Sequence, residues 1–283
     1  MSIKFICRGL GSRFSSGRGF TYAAADIYFS AITPSSTGGQ PASAFFMYLD
    51  GIPTGMVATP ALIMNVAMYT LTILVLGVVA FLFKPSIYLG FGVLQRIFVL
   101  IGAAVQLALV ACFVMVLAKP QFLQRLCAFG LKLLKKLHIV KKIDRLMAKL
   151  DNMIAGYQKN VRMAWNSKRY LGLAFLFNLL HRMSSIGVSV CVFRASGGEA
   201  ALMFSVAAVE VFSILGYCFI PIPGSMGIAD YMLLNGLGQI VGEAGATNLE
   251  MLSRGISFYL CILVCAVTIA VAYIRRRIKA NQR

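Results

Sequence analysis

The sequence predicts an all-α polytopic membrane protein with about five long transmembrane helices and two broken re-entrant elements. Three observations lead there. The 283 residues are 59% hydrophobic and 13% charged, whereas soluble domains run near 45–50% and 25%. Several apolar runs reach the roughly 20 residues that a bilayer crossing needs. The net charge of +18 is segregated between those runs. That pattern reads as membrane topology rather than nucleic-acid binding, and no nucleic-acid partner is expected.

The N-terminus carries Lys4, Arg8, Arg13 and Arg18, with no apolar core and small-residue cleavage site after them, so no signal peptide is read there. A first apolar run, 20–49, is interrupted by TPSSTGGQP at 33–41. Runs at 57–83 and 97–118 are long enough to span. Residues 119–169 hold thirteen Lys/Arg against Asp144 and Asp151, which places this segment in the cytoplasm. Within it Ile139, Ile143, Met147, Leu150, Ile154, Tyr157 and Val161 recur at three- and four-residue steps. That spacing predicts a basic amphipathic helix or helix pair, lying on an anionic leaflet or on the protein's own inner face. Further runs occupy 170–193, 201–220 and 255–274, and the tail RRRIKANQR (275–283) is basic and cytoplasmic by the same rule. Three regions result: 1–118, 119–169 and 170–283.

Counting crossings gives the two breaks their meaning. The run 170–193 goes from inside to outside, and 255–274 must end inside. Residues 201–254 therefore make no net crossing: 201–220 enters, PIPGSMG (221–227) turns, and 228–241 returns. By the same parity 20–49 reads as a second re-entrant hairpin, entering from the cytoplasmic side with TPSSTGGQP at its tip; the alternative is that the two interruptions are irregular surface loops. Proline lacks a backbone donor and glycine admits positive φ, and irregular backbone at membrane depth must be received by protein or a watery cavity. Two broken elements entering from opposite faces are the means by which inverted-repeat transporters build a midplane site.

Ionisable residues inside apolar runs are costly and mark function. Arg182 and Glu210 fall at similar depths, counted at about 1.5 Å per residue from the two membrane faces. Either they neutralise each other, or Arg182 faces a cavity and receives an anionic headgroup through its forked guanidinium. His181 reads as a packed residue. Asp230, in the first turn after the break, caps free amides. At the first tip Thr33, Ser35, Ser36, Thr37 and Gln40 offer hydroxyls and an amide, to a headgroup or to their own loop. The seven cysteines (Cys7, Cys112, Cys127, Cys191, Cys218, Cys261 and Cys265) form no CxxC and no Cys/His cluster; they read as small hydrophobes. No metal and no cofactor are expected.

The two tips resemble the signature stretches of the lysylphosphatidylglycerol synthase transmembrane-region family, also called flippase-like membrane proteins. PIPGSMGIAD is similar to a family pattern P-x-P-G-G-x-G-x-x-E, filled here by Pro221, Pro223, Gly224, Gly227 and Asp230, with Ser225 where glycine is usual and Asp230 where glutamate is usual. Residues 28–52 resemble the bacterial branch, and SRGISFYL (253–260) resembles the start of the family's last helix. Relative to that pattern the chain is expected to be N-terminally short and to lack the soluble domain that, in full-length synthases, moves lysine from charged tRNA to phosphatidylglycerol. The resemblance implies binding or translocation of an anionic or aminoacylated phospholipid in the cytoplasmic membrane. Together the depth argument and the resemblance give as substrate-binding candidates Thr33, Pro34, Ser35, Thr37, Gly38, Gly39, Gln40, Arg182, Glu210, Pro221, Pro223, Gly224, Gly227, Asp230 and Arg254, with no catalytic residue. Two rival readings are a phosphatidylglycerol lysyltransferase and a non-catalytic subunit presenting lipid to a glycosyltransferase. The expected partners are membrane phospholipid, a separate soluble synthase or glycosyltransferase, and a second copy of this chain.

Overall fold

The computed structural model describes residues 1–34, 37–118 and 168–281; the amphipathic segment expected within 119–169 lies outside them up to 167. The described residues form helices and turns without a strand. The helices are α1 (Ser2–Gly9), α2 (Ser16–Ile32), α3 (Gly39–Leu49), α4 (Thr59–Phe83), α5 (Pro85–Gly90), α6 (Val93–Ala118), α7 (Lys168–Ala195), α8 (Met203–Tyr217), α9 (Ile228–Arg254) and α10 (Cys261–Asn281). Single π-helical turns, Thr54–Ala58 and Gly255–Leu260, precede α4 and α10. Five helical stretches are long and apolar enough to cross a membrane. Their outer faces are of the kind lipid covers: Leu82 is 71% exposed, Leu107 63% and Leu263 61%.

The expected hairpins are present, with one change of boundary. α8 is 15 residues long, about 22 Å at 1.5 Å per residue, short of a hydrocarbon core of about 30 Å. The chain breaks at 218–227 and returns as the first arm of α9. That arm ends at Gly242, whose φ of 74° and ψ of 169° interrupt the helix. Only glycine adopts such a conformation readily. Instead of a last helix that begins at 255, as expected, the chain is helical again from 243 and continues through the Gly255–Leu260 turn into α10. Asp230 and Arg254 lie equally far from Gly242 in sequence, on either side of it, about 18 Å along their arms, and they meet side by side.

The first half repeats this plan. α2 ends at Ile32, α3 begins at Gly39, and α3 leads to Gly51, with φ of 80°. A bond from Ile52 N–H to the Met47 carbonyl (3.0 Å) closes the end of α3, the wrap that a left-handed glycine permits. A π turn and the long helix α4 follow, with Pro60 in its first turn, where a missing N–H costs nothing. The Gly51 turn stands beside the C-terminal end of α10, where Asp50 binds Arg276. The Gly242 turn precedes Arg276 by about nine helical turns and stands at the other end of the molecule. The two broken elements thus enter from opposite ends, and α2 packs against the turn Pro223–Ser225 of the second break.

α8 is the central element: 61% of its spanning window is buried, against 17% for α6 and α7. It is wedged in by glycines. A side chain at Gly102 of α6 would overlap the Leu215 carbonyl, one at Gly77 of α4 would come within 2.6 Å of Leu215, and one at Gly236 of α9 within 2.6 Å of Val209. Close backbone approach through small residues is the usual way helices associate in lipid. Around α8 the side chains of Ile73, Val206, Val209, Met232 and Leu237 form one apolar core, while Ile6, Tyr22, Met47 and Met64 form another beneath the first hairpin.

Candidate functional site

The second broken tip is closed by the protein itself. Gly224 (φ 61°) and Ser225 (φ 51°) are both left-handed. Ser225 N–H donates to the Ile222 carbonyl at 2.9 Å and Ser225 Oγ to the Tyr217 carbonyl at 3.3 Å. Asp230 Oδ2 accepts from Gly227 N–H at 2.8 Å, the expected cap. Its other oxygen pairs with Arg254. Arg254 also approaches Glu250 and the Gly224 carbonyl, each at 3.5 Å, and lies 5.5 Å from the Phe258 ring centre. A side chain at Gly224 would come within 2.6 Å of that ring. The break therefore docks onto Arg254 and Phe258 rather than presenting bare backbone to a cavity. Pro221 is exposed beside it, and Pro223 opens its 3-10 turn.

At the first tip the described hydroxyls, those of Thr33 and Thr37, are spent locally. Thr33 Oγ1 donates to the Phe29 carbonyl (2.6 Å) and accepts from Gly38 N–H (2.9 Å), while Thr37 Oγ1 donates to the Pro34 carbonyl (2.9 Å). Ser35 and Ser36 lie outside the described residues. Gly39 brings α3 against Asp26 and Ser30 of α2, closely enough that any side chain there would overlap them. Gln40 Nε2 donates to Asp26 Oδ1 at 2.9 Å.

Arg182 and Glu210 do not pair. Glu210 accepts a hydrogen bond from Ser189, and Arg182 stacks on the Tyr69 ring at 3.9 Å. Ser189 lies two helical turns beyond Arg182 on α7, about 10 Å away. Similar depths counted from opposite ends left that offset unseen. Tyr217, at the end of α8, is within electrostatic reach of Arg182, Glu210 and Arg254, and Glu210 within reach of Glu250. Two arginines and three carboxylates thus gather around the second break. Arg254 serves two of the carboxylates. Arg182 meets no carboxylate among the described residues, and its Nε is buried without a hydrogen-bond partner.

Several of these groups escaped sequence reading. Glu250 and Phe258 enter only because Gly242 folds α9 back on itself, and Tyr69 and Ser189 are unremarkable as letters. Asp26 is an acid inside an apolar run and was visible by that criterion. An apolar groove of about 430 Å³ runs beside the first tip, lined by Phe29, Gly38, Ala42, Phe45, Phe46, Ile269 and Tyr273.

No curated protein and no solved structure matches the chain. A family model described as the lysylphosphatidylglycerol synthase TM region matches residues 1–265. That match takes in both broken tips, Arg182, Glu210 and Arg254, and the chain belongs to this family.

Proposed function

We propose that this multi-pass membrane protein binds an anionic or aminoacylated phospholipid, of the lysyl-phosphatidylglycerol kind, and moves it between the leaflets of the cytoplasmic membrane. Arg182 carries the reading. An arginine at the centre of a helix in lipid costs about 2.5–3.5 kcal/mol on insertion scales. A desolvated cation–π contact such as that with Tyr69 returns about 2 kcal/mol. The remainder calls for an anion, and a guanidinium forks onto phosphate oxygens. Glu210, hydrogen-bonded by Ser189 and in no ion pair within 4 Å among the described residues, is the counterpart for a headgroup cation. The groove between the first hairpin and α10 offers acyl chains an apolar wall next to the first tip.

Purified protein in proteoliposomes, supplied with fluorescent phosphatidylglycerol and its lysylated form, tests this. Wild-type protein should speed transbilayer movement of at least one of them. Arg182→Gln should slow it about tenfold or more, the equivalent of about 1.4 kcal/mol, with Arg182→Lys in between. Arg194→Gln, at the far end of α7, should leave it unchanged. Equal rates for wild type and Arg182→Gln would sink the assignment.

A further inference from the structure

We infer that Asp26 and Gln40, where α2 and α3 clasp behind the first break, form a binding site for a small monovalent cation with oxygen ligands. The cation is either a free alkali ion or the primary ammonium of a lipid headgroup. The inference adds a second ligand to the proposed lipid translocator but does not need that reading to hold.

Three observations converge. Asp26 has no arginine, lysine or histidine nitrogen within 4 Å among the described residues. Among those residues its carboxylate is touched by neutral donors, Gln40 Nε2 at 2.9 Å and Ser30 Oγ at 3.5 Å. Gln40 Oε1, on the same amide that grips Asp26, is buried without a hydrogen-bond partner among the described residues. An amide oxygen left unpaired in a packed site is costly, about 1–3 kcal/mol. A carboxylate without a counter-charge at membrane depth costs more. One cation bound by both oxygens offsets both costs.

The backbone suits the same ligand. α2 ends at Ile32, less than two turns beyond Asp26, and the last carbonyls of a helix have no intrahelical partner and carry its negative end. Of these, the Phe29 carbonyl already turns to Thr33 Oγ1. Hard cations take carboxylate and carbonyl oxygens, and the C-terminal ends of broken half-helices are where transporters hold their coupling ions. Gly39 keeps the clasp tight: its backbone lies against Asp26, so the two helices cannot separate at this level without exposing the acid. Asp26 belongs to the first break, whereas the arginines and carboxylates of the headgroup cluster belong to the second. Cation and phosphate would therefore be bound on different halves of the molecule, an arrangement through which one ligand can bias the half that holds the other.

The experiment uses the whole purified protein in a neutral, lipid-free detergent and reads its thermal unfolding at pH 8. One arm compares NaCl with choline chloride at equal ionic strength. A second adds phosphatidylethanolamine, which presents a primary ammonium, against phosphatidylcholine, which does not. Saturable stabilisation by Na+ or by the aminolipid is expected, as for any ligand that binds the folded state alone. Asp26→Asn should abolish it. This variant preserves the hydrogen bond from Gln40, so it should fold. Gln40→Met should weaken the apparent affinity about tenfold or more, and it serves as the readout if Asp26→Asn does not fold. A response to Na+ alone marks a free ion, and a response to the aminolipid alone marks a headgroup. The inference is overturned if neither ligand stabilises the wild type. It is also overturned if the response survives in Asp26→Asn, if Gln40→Met binds as the wild type does, or if stability follows pH alone. Lipid movement is not measured, so failure here leaves the translocation assay untouched.

Discussion

Ser225 is the residue on which the second tip is least at ease. Its φ of 51° places a side chain in left-handed space, at a cost of about 1–2 kcal/mol. Glycine is the usual occupant of this position in the family pattern, and the reason is now plain: Gly224 and Ser225 are consecutive left-handed residues. The serine recovers part of the cost through its 3.3 Å bond to the Tyr217 carbonyl, a long contact worth about 0.5–1 kcal/mol. Ser225→Gly should therefore stabilise the protein by about 0.5–1 kcal/mol, read as a rise in the unfolding midpoint in detergent; a fall would mean that the hydroxyl contributes more than the strain removes. Gly224→Ala is the contrasting case. It adds the same strain and drives a Cβ to within 2.6 Å of the Phe258 ring, so it should destabilise by about 1–3 kcal/mol. Gly227 differs again. Nothing lies within 4 Å of where its Cβ would be, so Gly227→Val meets open space and acts only through its φ of 80°.

Among the elements, α9 does the most with the least signal. A glycine within GQIVGEAGA looks like an ordinary weak spot in a helix, yet Gly242 folds the element into a hairpin and brings Asp230 to Arg254. Without that turn the two stand at opposite ends of one long helix, which is why the pairing was not legible. The symmetric spacing about Gly242 was the available clue. The arginine also reaches Glu250 and the Gly224 carbonyl, whereas Asp230→Asn keeps an oxygen for Gly227 N–H. Arg254→Gln should therefore cost more than Asp230→Asn, with the double variant well short of the sum of the two. Strict additivity in unfolding midpoints would show that the pair is not coupled. The first hairpin has its own tie. Arg276 Nε and Nη2 bind the two oxygens of Asp50 at 2.9 and 2.8 Å, and the Tyr22 hydroxyl donates to Asp50 at 2.7 Å. Desolvation pushes the Asp50 carboxyl up, but the Arg276 and Tyr22 hydrogen bonds outweigh it and hold the acid below its ordinary value. An acid depressed on folding stabilises above its unfolded pKa, near 3.9, and that contribution is lost as pH falls through the lower folded value. The tie should thus be constant from about pH 5 to 8 and weaken below about 4. Asp50→Asn should remove that acid limb of the stability curve; an unchanged limb would assign it to other carboxylates.

For the whole molecule, hydropathy and the two Pro/Gly-rich interruptions were sufficient to find five long apolar helices and two breaks, because spanning length and backbone satisfaction are demands of the bilayer itself. They also ended the second returning arm at 241, one residue before the kink. They did not reveal which charges meet, since helix rotation and register depend on packing, here on the glycine contacts that seat α8. Nor did they show that the two halves share a plan of helix, break, helix, positive-φ glycine and π turn leading to a long helix. That plan yields a topological prediction sharper than crossing parity. The Gly51 turn is tied to Arg276, and the Gly242 turn comes earlier along the same nearly continuous helix. Counted at about 1.5 Å per residue from Gly242 to Arg276, the two turns stand about 50 Å apart, more than the thickness of the hydrocarbon core, so they must emerge on opposite faces. By the positive-inside rule the basic tail after Arg276 predicts a cytoplasmic Gly51 turn. Thr54 and Glu243 are exposed next to the two glycines and have unstrained backbones, which makes them better reporters than the glycines themselves. In a background with the seven cysteines replaced, Glu243→Cys should react with a membrane-impermeant maleimide in intact cells, and Thr54→Cys only after permeabilisation. Labelling of both from the same side would mean that the two hairpins enter from one face, and the inverted arrangement of the two halves would have to be abandoned.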